Sequence, residues 1–263
     1  MQELKALLKR YRGARVEMMR LIVDGRLAGS MNMALDQALL QSAAESEIGT
    51  LRIYGWQPAT VSLGYFQNYD TRESHAASIA SPVVRRASGG GAIVHDLEMT
   101  YSLALPASDP WASRNRDLFD TIHRTLIEFL EQLGVEGCRV FAESKPESKS
   151  APFLCFQRRA NGDVVIGDDK VIGSAQRRLH NALLQHGSVL VQRSEKAPEL
   201  PGIVDLCPDS QCTLERVIAG WPQYLAEQMA WELVAGDLTS EEVSAAKSIE
   251  SEQFSSDSWT RKR

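Results

Sequence analysis

The sequence predicts an α+β fold, a mixed central β-sheet flanked by helices, on three observations. Strand-like segments dominate the middle of the chain, helical periods appear singly among them, and no regular strand–helix alternation marks a doubly wound parallel sheet. At 263 residues, 43% of them hydrophobic, the chain suffices for one large domain or two small ones with a proper core. Twenty-nine Lys and Arg against 34 Asp and Glu leave a net charge of −5, which argues against a dedicated binder of nucleic acid or of an anionic membrane. No window approaches the ~20 apolar residues of a membrane helix. Four cysteines are too few for a disulfide scaffold in a chain this long. A soluble, cytoplasmic protein is the expectation.

Taken in order, the chain opens with a basic stretch in which Leu4, Leu7, Leu8 and Tyr11 share one helical face. It has two acids and no serine, which favours a basic helical extension over residues 1–19 rather than a transit peptide. Arg20–Val23 reads as a strand closed by Asp24-Gly25, and Ser30 or Asn32 as the cap of a helix burying Met31, Leu35, Ala38 and Leu39. Thr50–Trp56 and Thr60–Phe66 are strands joined by a Gln57-Pro58 turn. Val83–Arg86 and Ile93–His95 flank a glycine loop, and Met99–Leu105 alternates as a further strand.

A strongly periodic helix is predicted over Asp117–Leu133, stopped by Gly134. Residues 142–154 are turn formers and read as a loop. Asp163–Ile166 and Lys170–Gly173 form a hairpin through Gly167-Asp168-Asp169, followed by a strand over Leu183–Val191. A helix is predicted over Pro222–Val234, then a last one opened by a Thr239/Glu242 capping box, with Val243, Ala246 and Ile249 inward.

Two features point to chemistry. In Arg85-Arg86-Ala87-Ser88-Gly89-Gly90-Gly91, three consecutive glycines remove every Cβ, so backbone N–H groups can touch a ligand, and the arginines suit a carboxylate or phosphate. No Gly-Lys-Ser/Thr follows, so this is not a nucleotide loop of the Walker kind. His95-Asp96 reads equally as an acid/base pair or as structure. Among the cysteines, Cys207 and Cys212 lack the companions of a zinc site, and Cys138 looks like a core residue. Cys155 ends the long loop beside Phe153, Leu154 and Phe156, with Lys170 in the next hairpin as a cation that would favour its thiolate. Residue chemistry alone leaves both an inert thiol and an acyl acceptor open.

Read together, four ordered blocks resemble the biotin/lipoate protein ligase and transferase superfamily. They are Asn32–Leu40; Tyr54–Pro58 with Thr60–Gln67; Arg85–Asp96 continuing to Ser102; and Lys170–Arg177 with Leu184–Ser188. The tail Leu238–Glu242 and Trp259 is similar too. Within that superfamily the chain resembles the cysteine-dependent octanoyltransferases, which carry Cys-Phe before the hairpin and Lys ahead of Gly-Ser-Ala-Gln, places filled here by Cys155-Phe156 and Lys170. The resemblance implies one catalytic domain over residues 20–263, without room for a ligase's accessory module.

It further implies Cys155 as nucleophile and Lys170 as its partner. Substrate binding falls to Arg85, Arg86, Ser88, Gly89, Gly90, Gly91, His95, Gly173, Ser174, Ala175, His186 and Gly187, one arginine near the ligand and the other supporting the loop. Backbone N–H groups of Gly173, Ser174 and Ala175, or of the glycine loop, would stabilise an oxyanion. The implied donor is octanoyl-acyl-carrier protein and the implied acceptor a lysine on a lipoyl-accepting domain, the glycine cleavage H protein or a 2-oxoacid dehydrogenase E2. No metal or cofactor is implied. Asp168-Asp169 stands where relatives often have Gly-Arg, two acids that beside Lys170 would neutralise part of its field at Cys155 and that exposed on the turn would do little. The rival expectations are an ATP-dependent lipoate or octanoate ligase, an amidotransferase between lipoyl domains, and a non-catalytic binder of acyl carriers.

Overall fold

A computed structural model describes residues 17–46, 48–142, 152–179 and 181–263. The expected amphipathic helix at Leu4–Tyr11 and most of the expected 142–154 loop lie outside these residues. Strand β1 (Glu17–Leu27) leads through helix α1 (Gly29–Ser46) to β2 (Gly49–Trp56), then β3 (Thr60–Leu63), β4 (Val83–Arg85), β5 (Ile93–His95) and β6 (Glu98–Pro106). Helix α2 (Asn115–Gln132) and the short β7 (Cys138–Val140) precede the meander β8 (Val164–Ile166), β9 (Asp169–Leu179) and β10 (Ala182–Leu190). Helices α3 (Ile203–Leu206) and α4 (Leu214–Met229), strand β11 (Trp231–Ala235), and helices α5 (Ser240–Ile249) and α6 (Asp257–Thr260) complete the order.

Eight strands form one mixed sheet in the order β11-β1-β2-β6-β10-β9-β8-β7, and β4-β3-β5 form a small second sheet. β1 runs parallel to β2 and β11, whereas the pairs from β2 to β7 are antiparallel. Period-two alternation in β2 sorts its side chains: Leu51 and Ile53 join the core under α2 and α4, with Leu118, Ile122, Leu126, Trp221 and Leu225, while Tyr54 and Trp56 face α1. Helices therefore cover both faces of the sheet, as the α+β expectation required. No described helix is long and apolar enough to cross a membrane.

Several boundaries differ from the sequence reading, each for a tertiary reason. β1 already begins at Glu17, so residues 17–19 belong to the sheet rather than to an extension. Asp24-Gly25 is not a turn: a register shift between Val23 and Arg26 accommodates it, and Arg26 and Leu27 pair on with Gly55 and Trp56. Neither Ser30 nor Asn32 caps α1. Asn32 is buried inside its first turn, donating to the carbonyls of Leu27 and Gly55 and accepting from Arg52.

The helix placed at Pro222–Val234 instead starts at Leu214, where the Thr213 hydroxyl accepts from Arg216 N at 3.2 Å. Pro222 sits within it, and after Ala230 (φ 57°) the chain extends as β11 beside β1. The Thr239/Glu242 capping box is present at 3.1 and 2.9 Å. Glu242 also receives Arg20 of β1, which ties α5 to the sheet. Thr239→Ala removes one arm of that box and is expected to cost about 1 kcal/mol in chemical denaturation; no change in midpoint would show the box to be decorative.

Candidate active site

A cleft of about 330 Å³ opens between the glycine loop, the turn that carries Cys155, and the cleft-side residues of β2, β6, β9 and β10. Its volume falls at the small end of ordinary ligand pockets. Cys155 begins a single 3-10 turn, Cys155–Gln157, and is half-buried. Its backbone N–H donates to Ala92 O at 2.7 Å, and Ala92 N donates in turn to Phe153 O, so the turn is stitched to the end of the glycine loop. Gly90, at φ 95°, takes a conformation that L side chains rarely adopt, and a Cβ there would lie 3.8 Å from Cys155 Sγ.

Lys170 reaches the thiol from β9, with Nζ 3.7 Å from Sγ. Its side chain is only 6% exposed, and its ammonium makes an ion pair with Asp163 Oδ2 at 2.8 Å. Asp168, 93% exposed, turns away and pairs with Arg159. The acid that meets Lys170 is thus Asp163, seven positions upstream on the other arm of the hairpin, and neither acid flagged in the sequence.

The two arginines, the last residue of β4 and the one after it, turn to opposite sides. Arg85 is fully buried away from the cleft, donating to the carbonyls of Gly64, Gln67 and Thr260, with Trp259 Nε1 bonded to its own carbonyl. It supports the loop and does not face the ligand space. Arg86 does line the cleft, but its guanidinium is spent on Ser62 O, Gly89 O and Gly91 O at 2.7–2.8 Å, not on an anion of substrate. Burial pushes Arg86 down to about 10, an effect that the nearby Cys155 thiolate opposes.

Among the described residues two histidines face the cleft, each oriented by a buried carboxylate. His95 Nδ1 donates to Glu98 Oε1 at 2.5 Å, and its Nε2 meets the Ser62 hydroxyl at 2.8 Å, while the ring stacks on Trp56 at 3.8 Å. Its partner is therefore Glu98; Asp96 instead accepts from Ser194, which removes the His95-Asp96 pair. His186 Nε2 contacts the Ser88 hydroxyl at 2.6 Å, and Nδ1 lies 3.5 Å from Asp36. Burial raises the Asp36 carboxyl, yet His186 and the Arg52 guanidinium outweigh that and hold it below the usual carboxylate range.

Met33, Tyr54, Trp56, Ile93 and Phe156 supply the apolar part of the wall. Cleft and cysteine chemistry separate cleanly. Cys138 and Cys212 belong to the core under α2 and α4, where burial pushes their thiols up to about 12 and about 11. Cys207 gives its S–H to Glu136 O. Among the described residues no group of three or more His, Cys, Asp or Glu is placed to hold a metal ion.

Comparison with known proteins decides the family. The model of the lipoyl protein ligase A/B catalytic domain matches residues 28–199. The chain belongs to that family. Similar members of this lipoyl ligase/transferase family include the octanoyltransferase LipM of Brevibacillus brevis, 29% identical over 94% of this chain and 100% of the relative. LipM of Kyrpidia tusciae is 30% identical over 93% and 98%, respectively, and LipM of Bacillus subtilis is 33% identical over 68% and 67%. The bipartite lipoate protein ligase of Thermoplasma acidophilum shares the fold at a TM-score of 0.68, 20% identity, and coverage of 94% and 97%.

Of the family residues carried over from the sequence, the cleft brings together Cys155, Lys170, Arg86, Gly89, Gly90, His95, Gly173, Ser174, Ala175, His186 and Gly187. Arg85, Ser88 and Gly91 stand behind it: Ser88 orients His186, and Gly91 packs against the Cys155 backbone. Asp163 and the buried His123 of α2 were missed. The one signal for His123 was a histidine on the leucine-rich face of an amphipathic helix.

Proposed function

We propose that this chain is an octanoyltransferase of lipoate biosynthesis that carries the octanoyl group on Cys155, from acyl-carrier protein to a lysine of a lipoyl-accepting domain. The observation that carries the reading is the buried Lys170 ammonium 3.7 Å from a thiol that opens onto an apolar-walled cleft. The names of the relatives agree with it.

In the first step the Cys155 thiolate attacks the thioester carbonyl. The oxyanion forms beside β9, whose described pairing with β8 ends at Ile172, and N–H groups on that edge would donate to it. Collapse expels the carrier's thiolate, which takes a proton from Lys170. In the second step the acceptor amine attacks the acyl-cysteine, the C–N bond forms, and the C–S bond breaks. The now neutral Lys170 accepts the amine's proton, and Cys155 leaves as thiolate beside the restored ammonium. Protons balance with no other base, and exchange of one thioester for another requires no ATP.

Met33, Tyr54, Trp56, Ile93 and Phe156 would receive the acyl chain. Two fewer methylenes forfeit roughly 1.6 kcal/mol of burial, so hexanoyl-carrier protein should turn over about 15-fold less efficiently than octanoyl. Equal kcat/KM for the two would place the chain outside this wall.

Intact mass spectrometry after mixing the protein with octanoyl-carrier protein, without ATP, tests the reading. An adduct one octanoyl heavier, mapped to Cys155, is expected. Activity that requires ATP and free octanoate and releases AMP would replace it with a ligase. An adduct formed only from an octanoylated lipoyl domain would make the chain an amidotransferase.

A further inference from the structure

Lys170 is held by more than its own strand. Asp163 Oδ2 meets Nζ at 2.8 Å and accepts Ala160 N at 2.7 Å, while Asp163's own N–H and carbonyl are bonded to Ala160 and Phe141. The carboxylate therefore has little freedom. The stem of Lys170 crosses Gly173, where a Cβ would lie 2.5 Å from Lys170 Cε and 2.8 Å from Nζ. Gly162-Asp163 and Gly173-Ser174 thus flank the ammonium from two sides. One buried side chain joins them: His123 Nδ1 donates to Gly162 O at 2.5 Å, and its Nε2 accepts from the Ser174 hydroxyl at 2.6 Å.

The directions of these bonds are fixed from both ends. A backbone carbonyl accepts only, so His123 carries its proton on Nδ1 and must accept at Nε2. At the far end Gln176 Nε2 donates to Asn115 O and to Gln185 Oε1, so Gln185 Nε2 donates to Tyr101 and Tyr101 to Ser174. The Ser174 hydrogen is then committed to His123. Burial pushes His123 down to about 4, so it is uncharged at neutral pH and takes no part in titration there.

We propose that Asp163 is a positioning residue for the proton transfers of this site, its carboxylate aiming Lys170 at Cys155 and favouring the ammonium form. The proposal rests on Lys170 acting as the proton carrier described above. In the acyl-enzyme the Cys155 thiolate is gone. Among the described residues, the groups then facing Lys170 are Asp163 before β8, neutral His123 on α2 and the Phe156 ring, 5.1 Å from Nζ, in the Cys155 turn. Arg86 lies across the cysteine. Asp169, adjacent on β9, points to the opposite face of the strand, and Asp168 is turned to Arg159 in solvent. Among the described residues, Asp163 is accordingly the anion that opposes loss of the Lys170 proton.

The test is single-turnover aminolysis of the isolated octanoyl-enzyme by its acceptor domain, as a function of pH, in the native protein and in Asp163→Asn. Asparagine keeps an oxygen for Ala160 N but removes the charge. The pH midpoint of aminolysis should fall by about 1–3 units, the range for removing one opposite charge at this distance. A slower reaction with an unmoved midpoint overturns the proposal and leaves Asp163 a structural residue. Absence of any octanoyl-enzyme in the native protein would instead refute the covalent route itself. Should Asp163→Asn fail to fold, Asp163→Glu carries the test. It keeps the charge, so its midpoint should stay with the native protein while the rate drops, and a displaced midpoint overturns the proposal.

Discussion

Cys155→Ser should give no octanoyl adduct and lower turnover on the order of 10³-fold or more, with folding unchanged. The exchange of sulfur for oxygen is nearly isosteric at a half-buried position whose backbone is fixed by Ala92, so a loss of stability is not expected. What changes is ionisation. A serine hydroxyl, far less acidic than a thiol, stays protonated at neutral pH beside the Lys170 ammonium. Intact mass and turnover with octanoyl-carrier protein measure both halves of the claim. Turnover retained in the serine variant would sink the acyl-cysteine route outright.

Arg86→Met should combine the largest loss of stability with a loss of cysteine reactivity. The buried guanidinium accounts for bonds to Ser62 O, Ser62 Oγ, Gly89 O and Gly91 O. A methionine of similar volume leaves those carbonyls without donors, a cost of about 3–5 kcal/mol visible as a lower denaturation midpoint. The substitution also removes a positive charge that interacts electrostatically with Cys155. Alkylation of Cys155 by iodoacetamide at neutral pH should slow. Arg86→Lys separates the two effects: it restores charge, and with it part of the alkylation rate, but not the fork that holds the glycine loop. Native alkylation in Arg86→Met would mean that the loop and the charge are irrelevant to the thiol.

Much of this was readable before the fold was known. Strand-dominated patterning sufficed for the fold class, because the alternation of β2 and β6 and the helical period of α2 are local properties. The glycine loop stood out because three glycines in a row exceed what a turn needs. The roles within it did not, since Arg85 and Arg86 are identical neighbours and only distant residues decide between them. Thr260 and Gly64 claim the first; Ser62 and the loop's own carbonyls claim the second. Asp163 was hidden because its partner lies across a hairpin whose exact pairing is a tertiary matter, and Asp168-Asp169 drew attention by standing next to Lys170 where relatives often have Gly-Arg. Pro222 misled for a related reason. Proline favours a helix's first turn, but here Thr213 had already capped the helix nine residues earlier, and burial of Trp221 and Leu225 against the sheet carried the helix through it.

The bond from Arg85 to the carbonyl of Thr260 spans 175 residues, and Trp259 returns a bond to Arg85. During synthesis the sheet strands from β1 to β10 can emerge and pair while Trp259 and Thr260 are still inside the ribosome. The glycine loop cannot take its final support until they are released. A nascent chain stalled before Trp259 would therefore hold a folded core with an unfinished loop beside Cys155, so the order of translation places the completion of the reactive thiol's setting after that of the sheet.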